Sequence, residues 1–455
     1  MTRVLIPSGV LGLAYDRNAL AAGVATRPDI IAIDGGSTDS GPHYLGTGTS
    51  KYSRAAIAAE WRDLLEARSQ LDVPLVLGSA GTCGTDSSVD WMVEITDEIA
   101  RQLGQGLRVA TIKSSVEPGS LAQAWETGKI SELSDAPLLS TSTLLSMSNA
   151  VAVMGVEQIV DALSTGADIV IAGRATDTAP IAALPIERGD CPGASWHAAK
   201  VAECGALCST HPMSGCVVVE TDDCGFEIEP MHRQAKCTPE TVSAHMLYEN
   251  ADPFRLHEPG GFLDVRDAVY TAKSNRRVRV QGSSWTGSSD YRVKLEGARL
   301  AGYQTTILAL LRSSHYVQHA RAWADRLLDL TRQRIAASMA LTDGEYSLEF
   351  RLIGIDATLG PLEGNAANPL EVGVLGIVTA RTQERSLEIA KLLNPYMLHM
   401  PLAADEELPT FAFPYSPAET PRGPLYEFCL NHVLQLDDPM EVFRIDVFQA
   451  GVPRV

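Results

Sequence analysis

Long apolar runs are missing from this chain of 455 residues. None approaches the roughly 20 residues that span a bilayer, and the N-terminal segment lacks the apolar core of a secretory signal. We therefore expect a cytoplasmic protein that makes no membrane contact. Basic residues are also scarce, since 37 Lys and Arg stand against 56 Asp and Glu, for a net charge of −19. Because phosphate neutralisation needs clustered basic residues, we expect no nucleic-acid partner.

Several common cofactor and nucleophile motifs are absent as well. No Gly-x-Gly-x-x-Gly follows the first predicted strand and there is no Walker A lysine, so we expect no nucleotide cofactor. The segment Gly78-Ser79-Ala80-Gly81 differs from the Gly-x-Ser-x-Gly nucleophile elbow. Its glycines favour an approach of backbone N–H groups to an anion at a helix N-terminus.

Cys-x-x-Cys pairs are lacking although the chain has eight cysteines. Six of them lie between Cys191 and Cys237, with His197, His211 and His232 among them, which raises a zinc hypothesis. Their spacing matches no ordinary structural zinc site. We therefore expect most of these cysteines to be buried free thiols that act as small apolar side chains.

What the chain does have is polar loops directly after apolar runs that read as strands. Because ligands of an open α/β sheet bind outside the carboxyl ends of its strands, we expect these loops to share one site. The five run-and-loop pairs are 30–33 with 34–42, 73–78 with 79–86, 107–112 with 113–119, 137–139 with 140–143, and 167–173 with 174–177.

The order of these segments predicts an α/β protein of three domains. Residues 1–185 alternate strand-like and helix-like segments, with predicted helices at 54–69, 89–103 and 150–163, and indicate a doubly wound, mostly parallel sheet. Residues 186–340 read as an α+β domain that completes the site and contains a long helix over 316–338. Residues 341–455 read as a small, ferredoxin-like α+β domain with a Pro-rich tail.

Nine stretches together resemble the acyclic terpene utilisation AtuA family over nearly the whole chain. The resemblance implies an α/β domain fused to smaller domains, in the catabolism of terpenoids and of branched or small carboxylic acids. One departure is Arg312-Ser313-Ser314, where the family is expected to have Arg-Asp-Pro. The stretches are 12–17, 34–42, 78–81, 167–174 with Asp177, 203–206, 246–253, 294–298, 302–305 and 413–417.

Arg174 and Asp177 follow a strand-like run and are expected at the ligand edge of the sheet. An arginine there suits a carboxylate or phosphate, which it can hold with two parallel hydrogen bonds. The alternatives are an ion pair between the two residues, or a helix cap formed by Asp177. We assign Arg174 to substrate binding and Asp177 to catalysis.

Asp34, Asp39 and His43 lie on or just after one glycine-rich loop and are the other catalytic candidates. Two nearby carboxylates raise the pKa of one of them, which suits general acid–base catalysis. With Asp86 from the neighbouring loop, Asp34 and Asp39 could instead bind Mg²⁺. The alternative is structural, with Asp39 as a helix cap and Asp34 bonded to backbone donors.

The remaining candidates are expected to bind the substrate through backbone N–H groups, hydroxyls or charge. Lys113, after the run 107–112, could neutralise an anionic group, and a surface position is the alternative. Glu296 could reach the site or pair with Lys294 or Arg292. The other substrate-binding candidates are Gly35, Gly36, Ser37, Ser79, Gly81 and Thr82.

A polar site with several acids, without a nucleophile triad or a nucleotide loop, favours a hydratase or dehydratase of a small carboxylic or hydroxycarboxylic acid, free or as a thioester. A non-catalytic or partner-dependent binding subunit of an enzyme complex is the first alternative, and a metal-assisted hydrolase is the second. We expect a small anionic substrate, a homo-oligomer and, in the first alternative, a small partner protein.

Overall fold

The computed structural model describes residues 1–342, 344–365 and 368–452. Residues 343, 366, 367 and 453–455 of the predicted last domain lie outside the described residues. The chain forms two compact units. The first contains Met1–Arg299 and, among the described residues, 428–452, whereas the second contains Leu300–Glu427.

Strands and helices are numbered here in chain order. The strands of the described part are β1 Thr2–Ile6, β2 Ile30–Asp34, β3 Leu75–Gly78, β4 Leu107–Lys113, β5 Ile130–Glu132, β6 Asn149–Ala152, β7 Ile169–Ala172, β8 Val217–Thr221, β9 Gly225–Pro230, β10 Arg255–Glu258, β11 Gly261–Asp264, β12 Val269–Ala272, β13 Val278–Gln281, β14 Ser284–Gly287, β15 Tyr291–Leu311, β16 Tyr346–Ile353, β17 Val372–Ala380, β18 Phe411–Ala412, β19 Glu419–Leu436 and β20 Arg444–Ala450. The helices are α1 Arg17–Ala25, α2 Pro42–Thr47, α3 Arg54–Leu71, α4 Asp86–Leu103, α5 Pro118–Glu126, α6 Thr141–Leu145, α7 Val156–Ser164, α8 Ala179–Glu187, α9 Pro192–Ala202, α10 Pro239–Ala244, α11 Ser314–Gln318, α12 Ala320–Met339 and α13 Gln383–His399.

The first unit is built on a large sheet with the strand order β12-β13-β9-β8-β1-β2-β3-β7-β4-β20. The five strands in its middle, β1, β2, β3, β7 and β4, are parallel to one another. Antiparallel strands flank them, with β8 beside β1 and β20 beside β4. The parallel sheet predicted for the N-terminal part of the chain is therefore confirmed.

Helices cover both faces of this parallel sheet. Ile30 and Ala32 of β2 pack into a core with residues of α7, α8 and α9. Ile31 and Ile33, which alternate with them, pack into a second core with residues of α1, α3 and α4. Strands that are buried on both faces consist almost entirely of apolar residues. The apolar runs in the sequence therefore predicted these strands. The doubly wound arrangement is confirmed.

Helix α4 shows how local sequence signals set an element that borders the site. The Thr85 hydroxyl accepts a hydrogen bond from the Ser88 backbone N–H and caps its N-terminus. Its buried face includes Met92 and Ile95, three residues apart. Gly104, in the left-handed conformation with φ +65°, ends the helix.

Three expectations for individual elements are wrong. Residues 137–139 form no strand, and Leu138 is 93% exposed, because three residues without a sheet partner do not form a ladder. The helix expected over 150–163 begins only at Val156, since 149–152 form strand β6 against β15. The long helix expected from residue 316 is interrupted at His319 between α11 and α12.

In the second unit, β17 pairs antiparallel with β16 and with residues 303–311 of β15. Helices α12 and α13 pack against this sheet through a core that includes Trp323, Leu327 and Ile389. The ferredoxin-like fold of the C-terminal part stays a prediction. Within the described residues, no helix is long and apolar enough to cross a membrane.

The cysteines between 191 and 237 are all free. Cys208, Cys216 and Cys237 are buried, as expected, whereas Cys224 is exposed. Cys191 and Cys204 are half-buried.

Candidate functional site

A cavity of about 1040 Å³ lies in the first unit. It is bordered by the loop that follows β7, the C-terminal end of α9, the small sheet β10-β11-β14 and the beginning of β15. Ionisable side chains contribute much of its lining. They are Asp39, Arg174, Asp177, Lys200, Glu203, Glu249, His257, Glu258, Asp290, Arg292, Lys294 and Glu296.

Arg174 reaches the cavity because β7 ends beside a glycine that permits close packing. The Arg174 backbone N–H donates to the Gly84 carbonyl oxygen at 3.1 Å. A Cβ atom at Gly84 would lie 2.1 Å from the Arg174 backbone nitrogen, and Gly84 has φ +63°. Both the space and the backbone conformation therefore require glycine at this position.

The Arg174 guanidinium is buried and already bonded to protein groups. Its Nε donates to Glu296 Oε2 at 2.9 Å, and its Nη1 donates to Ser79 Oγ at 3.0 Å and Asp177 Oδ1 at 3.2 Å. Burial raises the pKa of Glu296, but the charges of Arg174 and Lys294 outweigh it, so the net pKa is lowered. Arg174 and Glu296 therefore form a buried ion pair that fixes Asp177 beside the cavity.

Glu258 is a cavity carboxyl with one hydrogen-bonded and one unpartnered oxygen among the described residues. Its Oε1 accepts a hydrogen bond from Thr178 Oγ1 at 2.6 Å. Its Oε2 is buried, and the described part of the chain provides no hydrogen-bond partner for it. Burial raises the pKa of Glu258 to about 7. The carboxyl therefore exchanges its proton near neutral pH.

Lys200 and Glu203 lie one helical turn apart at the end of α9, and both are buried. Lys200 Nζ donates to Glu203 Oε1. Burial raises the pKa of Glu203 to about 8 in spite of the Lys200 charge beside it. Glu203 is thus a second carboxyl of the cavity whose pKa is raised.

Asp177 and Asp34 extend the group of perturbed acids. Burial raises the pKa of Asp177, against the lowering effect of Arg174. Burial and the nearby Asp177 charge raise the pKa of Asp34 well above its ordinary value. The Gly36 backbone N–H donates to Asp34 Oδ2 at 2.9 Å, and Asp34 Oδ1 is a buried atom without a partner among the described residues.

Four of the candidates from the sequence line the cavity: Asp39, Arg174, Asp177 and Glu296. Asp34 and Ser79 lie under it, since Ser79 bonds to Arg174 and the pKa of Asp34 responds to Asp177. The other predicted loop residues lie outside the cavity lining: Gly35, Gly36, Ser37, His43, Gly81, Thr82, Lys113 and Asp86.

Lys113, His43 and Asp86, which were candidates for the site, contact other groups of the protein. Lys113 forms an ion pair with Asp90 at 2.8 Å, and His43 is exposed in α2, where its ring contacts Tyr44. Asp86 starts α4, where Oδ1 accepts from the Ser115 backbone N–H at 3.0 Å and Oδ2 pairs with Arg444 at 2.5 Å.

Two groups of three metal-ligating side chains occur in the described part of the chain. One contains Glu203, Cys204 and His245, and the other contains residues 222–224. Neither includes Asp34, Asp39 or Asp86. The magnesium set predicted from the sequence is therefore not gathered around one point.

A match to a protein-family model shows the family of this chain. The model described as acyclic terpene utilisation family protein AtuA matches residues 76–412. The chain belongs to the AtuA family. No curated protein and no solved structure matches the chain. The resemblance noted in the sequence is therefore confirmed, and it covers β3 to β18, including most of the cavity.

Sequence reasoning did not assign Lys200, Glu203 and Glu258 to the site. A signal existed for the first two, because Ala198, Ala199, Val201 and Ala202 surround Lys200 in α9, and Glu203 begins one of the stretches that resemble the AtuA family. Glu258 ends a short strand of the sheet β10-β11-β14, and no pattern in the sequence marks it.

Proposed function

We propose that this AtuA family protein is a hydro-lyase that acts in acyclic terpene utilisation. It would add or remove water next to the carboxyl group of an acyclic carboxylic or hydroxycarboxylic acid, free or as a thioester. The observation that carries the proposal is the pair of cavity carboxyls on Glu258 and Asp177, of which Glu258 has a buried oxygen without a hydrogen-bond partner among the described residues.

Dehydration needs a base for the proton on the carbon next to the carboxyl group and an acid for the hydroxyl. In the proposed mechanism the ionised Asp177 removes that proton, and the electron pair forms the carbon–carbon double bond. Protonated Glu258 donates its proton to the hydroxyl oxygen, which leaves as water. Glu258 suits this role because its pKa of about 7 lies near the operating pH. Hydration follows the same steps in reverse.

The substrate carboxylate or thioester carbonyl requires a positive partner. Arg174 was the candidate from the sequence, but Glu296, Ser79 and Asp177 already accept its hydrogen bonds. We therefore assign Arg174 to positioning Asp177. Lys294 takes the substrate-binding role, because its side chain lines the cavity and is 47% exposed, although it also pairs with Glu296 at 3.2 Å.

The apolar part of the cavity supports a substrate with a hydrocarbon chain. Its volume of about 1040 Å³ is at the upper end of the roughly 300–1,000 Å³ of ligand pockets, which leaves room for more than a two- or three-carbon acid. A branched acyclic chain would bury its methyl groups there. The apolar side chains of the lining are Leu133, Val153, Leu256, Pro259, Phe262 and Val433.

The test is deuterium exchange and water addition with a panel of branched unsaturated and hydroxylated acids, as free acids and as thioesters. We expect exchange at the carbon next to the carboxyl group and reversible water addition with one member of the panel. Glu258→Gln should lower kcat at least about 100-fold. Glu132→Gln, an exposed glutamate outside the cavity, is the matched control and should keep full activity. Full turnover by Glu258→Gln would contradict the assignment.

A further inference from the structure

Behind the cavity, Glu203, Cys204 and His245 bring together three kinds of metal ligand. Glu203 and Cys204 directly follow α9, and His245 follows α10. One oxygen, one sulfur and one ring nitrogen from these residues all lie within 4.8 Å of one another. The proposed hydro-lyase mechanism uses none of the three.

His245 provides an independent indication that something binds at this point. Its side chain is 4% exposed, and its Nε2 has no hydrogen-bond partner in the part of the chain that the structure describes. Folded proteins rarely leave a buried polar group without a partner, because the hydrogen bonds that it lost to water are then not replaced.

We propose that Glu203, Cys204 and His245 form a zinc site with its open coordination position towards the cavity. Thiolate, imidazole and carboxylate are the ligands of protein-bound Zn²⁺, and three protein ligands with one open position are typical of catalytic sites. Glu203 lines the cavity, so a fourth ligand would reach the ion from that side.

The present spacing is compatible with this ion after a small adjustment. Bond lengths of 2.0–2.3 Å around a tetrahedral zinc place ligand atoms roughly 3.5 Å apart. The atoms of the three residues are separated by no more than 4.8 Å. Bringing the three ligand atoms to zinc-binding distance therefore needs movements of about 1 Å, which side-chain rotation can provide.

Two groups oppose the ion, and both can be accommodated. Lys200 bonds to Glu203 Oε1, which leaves Oε2 for the metal. Burial raises the pKa of the Cys204 thiol, but a coordinated thiol loses its proton to the field of the metal.

The experiment is a titration of the metal-free full chain with Co²⁺, a spectroscopic probe of zinc sites, followed by displacement with Zn²⁺. We expect one tightly bound equivalent with a sulfur-to-cobalt charge-transfer band and the intense visible absorption of a tetrahedral ion. Cys204→Ser should remove the charge-transfer band. His245→Gln should weaken binding at least about 100-fold, since even indirect partners of metal ligands are worth 10–100-fold.

The matched control is Cys224→Ser, which alters the other, exposed group at residues 222–224 and should leave the spectrum unchanged. Because Cys204 is half-buried, its serine variant tests the site even if His245→Gln does not fold. Absence of stoichiometric binding, a charge-transfer band that persists in Cys204→Ser, or its loss in Cys224→Ser would overturn the proposal. Binding is measured without substrate, so its outcome is separate from that of the hydro-lyase assay.

Discussion

The raised pKa of Glu258 makes the stability of the protein depend on pH in a way that a single substitution removes. In the native state this carboxyl keeps its proton up to about pH 7, whereas its ordinary pKa is 4.5. Between these two values the unfolded chain has lost the proton and the native protein still holds it. The contribution of Glu258 to stability therefore falls as the pH rises from about 4.5 to 7 and stays constant above that range.

The magnitude follows from the displacement of the proton equilibrium. A pKa shift of one unit corresponds to about 1.4 kcal/mol. The shift of the Glu258 pKa from 4.5 to about 7 therefore destabilises the native protein at pH 8 by about 3 kcal/mol relative to pH 4. Glu258→Gln has the shape of the protonated acid and no charge to bury. We therefore expect Glu258→Gln to lose about 3 kcal/mol less stability than the wild-type protein between pH 4 and pH 8.

Melting temperatures of the two proteins across this pH range provide the measurement. At about 2 °C per kcal/mol for a large domain, the difference between the curves should widen by about 6 °C on going from pH 4 to pH 8. Titration of all other groups cancels in the comparison, and Glu132→Gln should follow the wild-type curve because its side chain is exposed. Parallel curves for wild type and Glu258→Gln would refute the argument that burial governs this carboxyl.

Further predictions concern the residues around this acid. In denaturant unfolding, Gly84→Ala should lower the free energy of unfolding by about 3 kcal/mol more than Gly104→Ala does. The two glycines have similar φ angles of +63° and +65°, but only at Gly84 would the added Cβ lie within 4 Å of other atoms. Equal losses of stability would contradict the close approach at Gly84. Arg174→Met should lower the free energy of unfolding by about 3 kcal/mol in the same assay, since it leaves the buried Glu296 carboxylate with the half-exposed Lys294 as its remaining charged partner, and a loss below 1 kcal/mol would argue against an ionised pair. If Lys294 holds the substrate anion, Lys294→Met should raise KM about tenfold with little change in kcat in steady-state kinetics, and an unchanged KM would exclude that role.

The parallel sheet could be predicted because its strands are buried on both faces and read as apolar runs. The run 30–33 and the run 167–173 became β2 and β7, and the polar residues after them, Asp34 and Arg174, came together as expected. The run 137–139 failed because the structure gives it no partner strand, and Leu138 is 93% exposed. The presence of a partner strand, which periodicity does not report, decided between the two outcomes.

The chemistry of the site was only partly predictable. Arg174 and Asp177 lie at the end of a parallel strand, where a general rule places ligands. Lys200 and Glu258 come from a helix and a short antiparallel strand outside that sheet, and their position depends on how distant segments pack. The number of protein acceptors around the Arg174 guanidinium is likewise a property of the folded chain.

The position of strand β20 in the sequence has a consequence for folding during synthesis. It pairs with all of β4, from Leu107 to Lys113, yet residues 300–427 of the second unit are synthesised between them, a delay on the order of 10 s on the ribosome. During that delay the second unit is available to fold while the sheet of the first has an open edge at β4. An open edge is a template for pairing with other chains. A nascent chain that stops before Arg444 therefore exposes the edge of the largely buried strand β4, whereas in the folded unit the edge position belongs to β20, whose side chains are mostly exposed or half-buried.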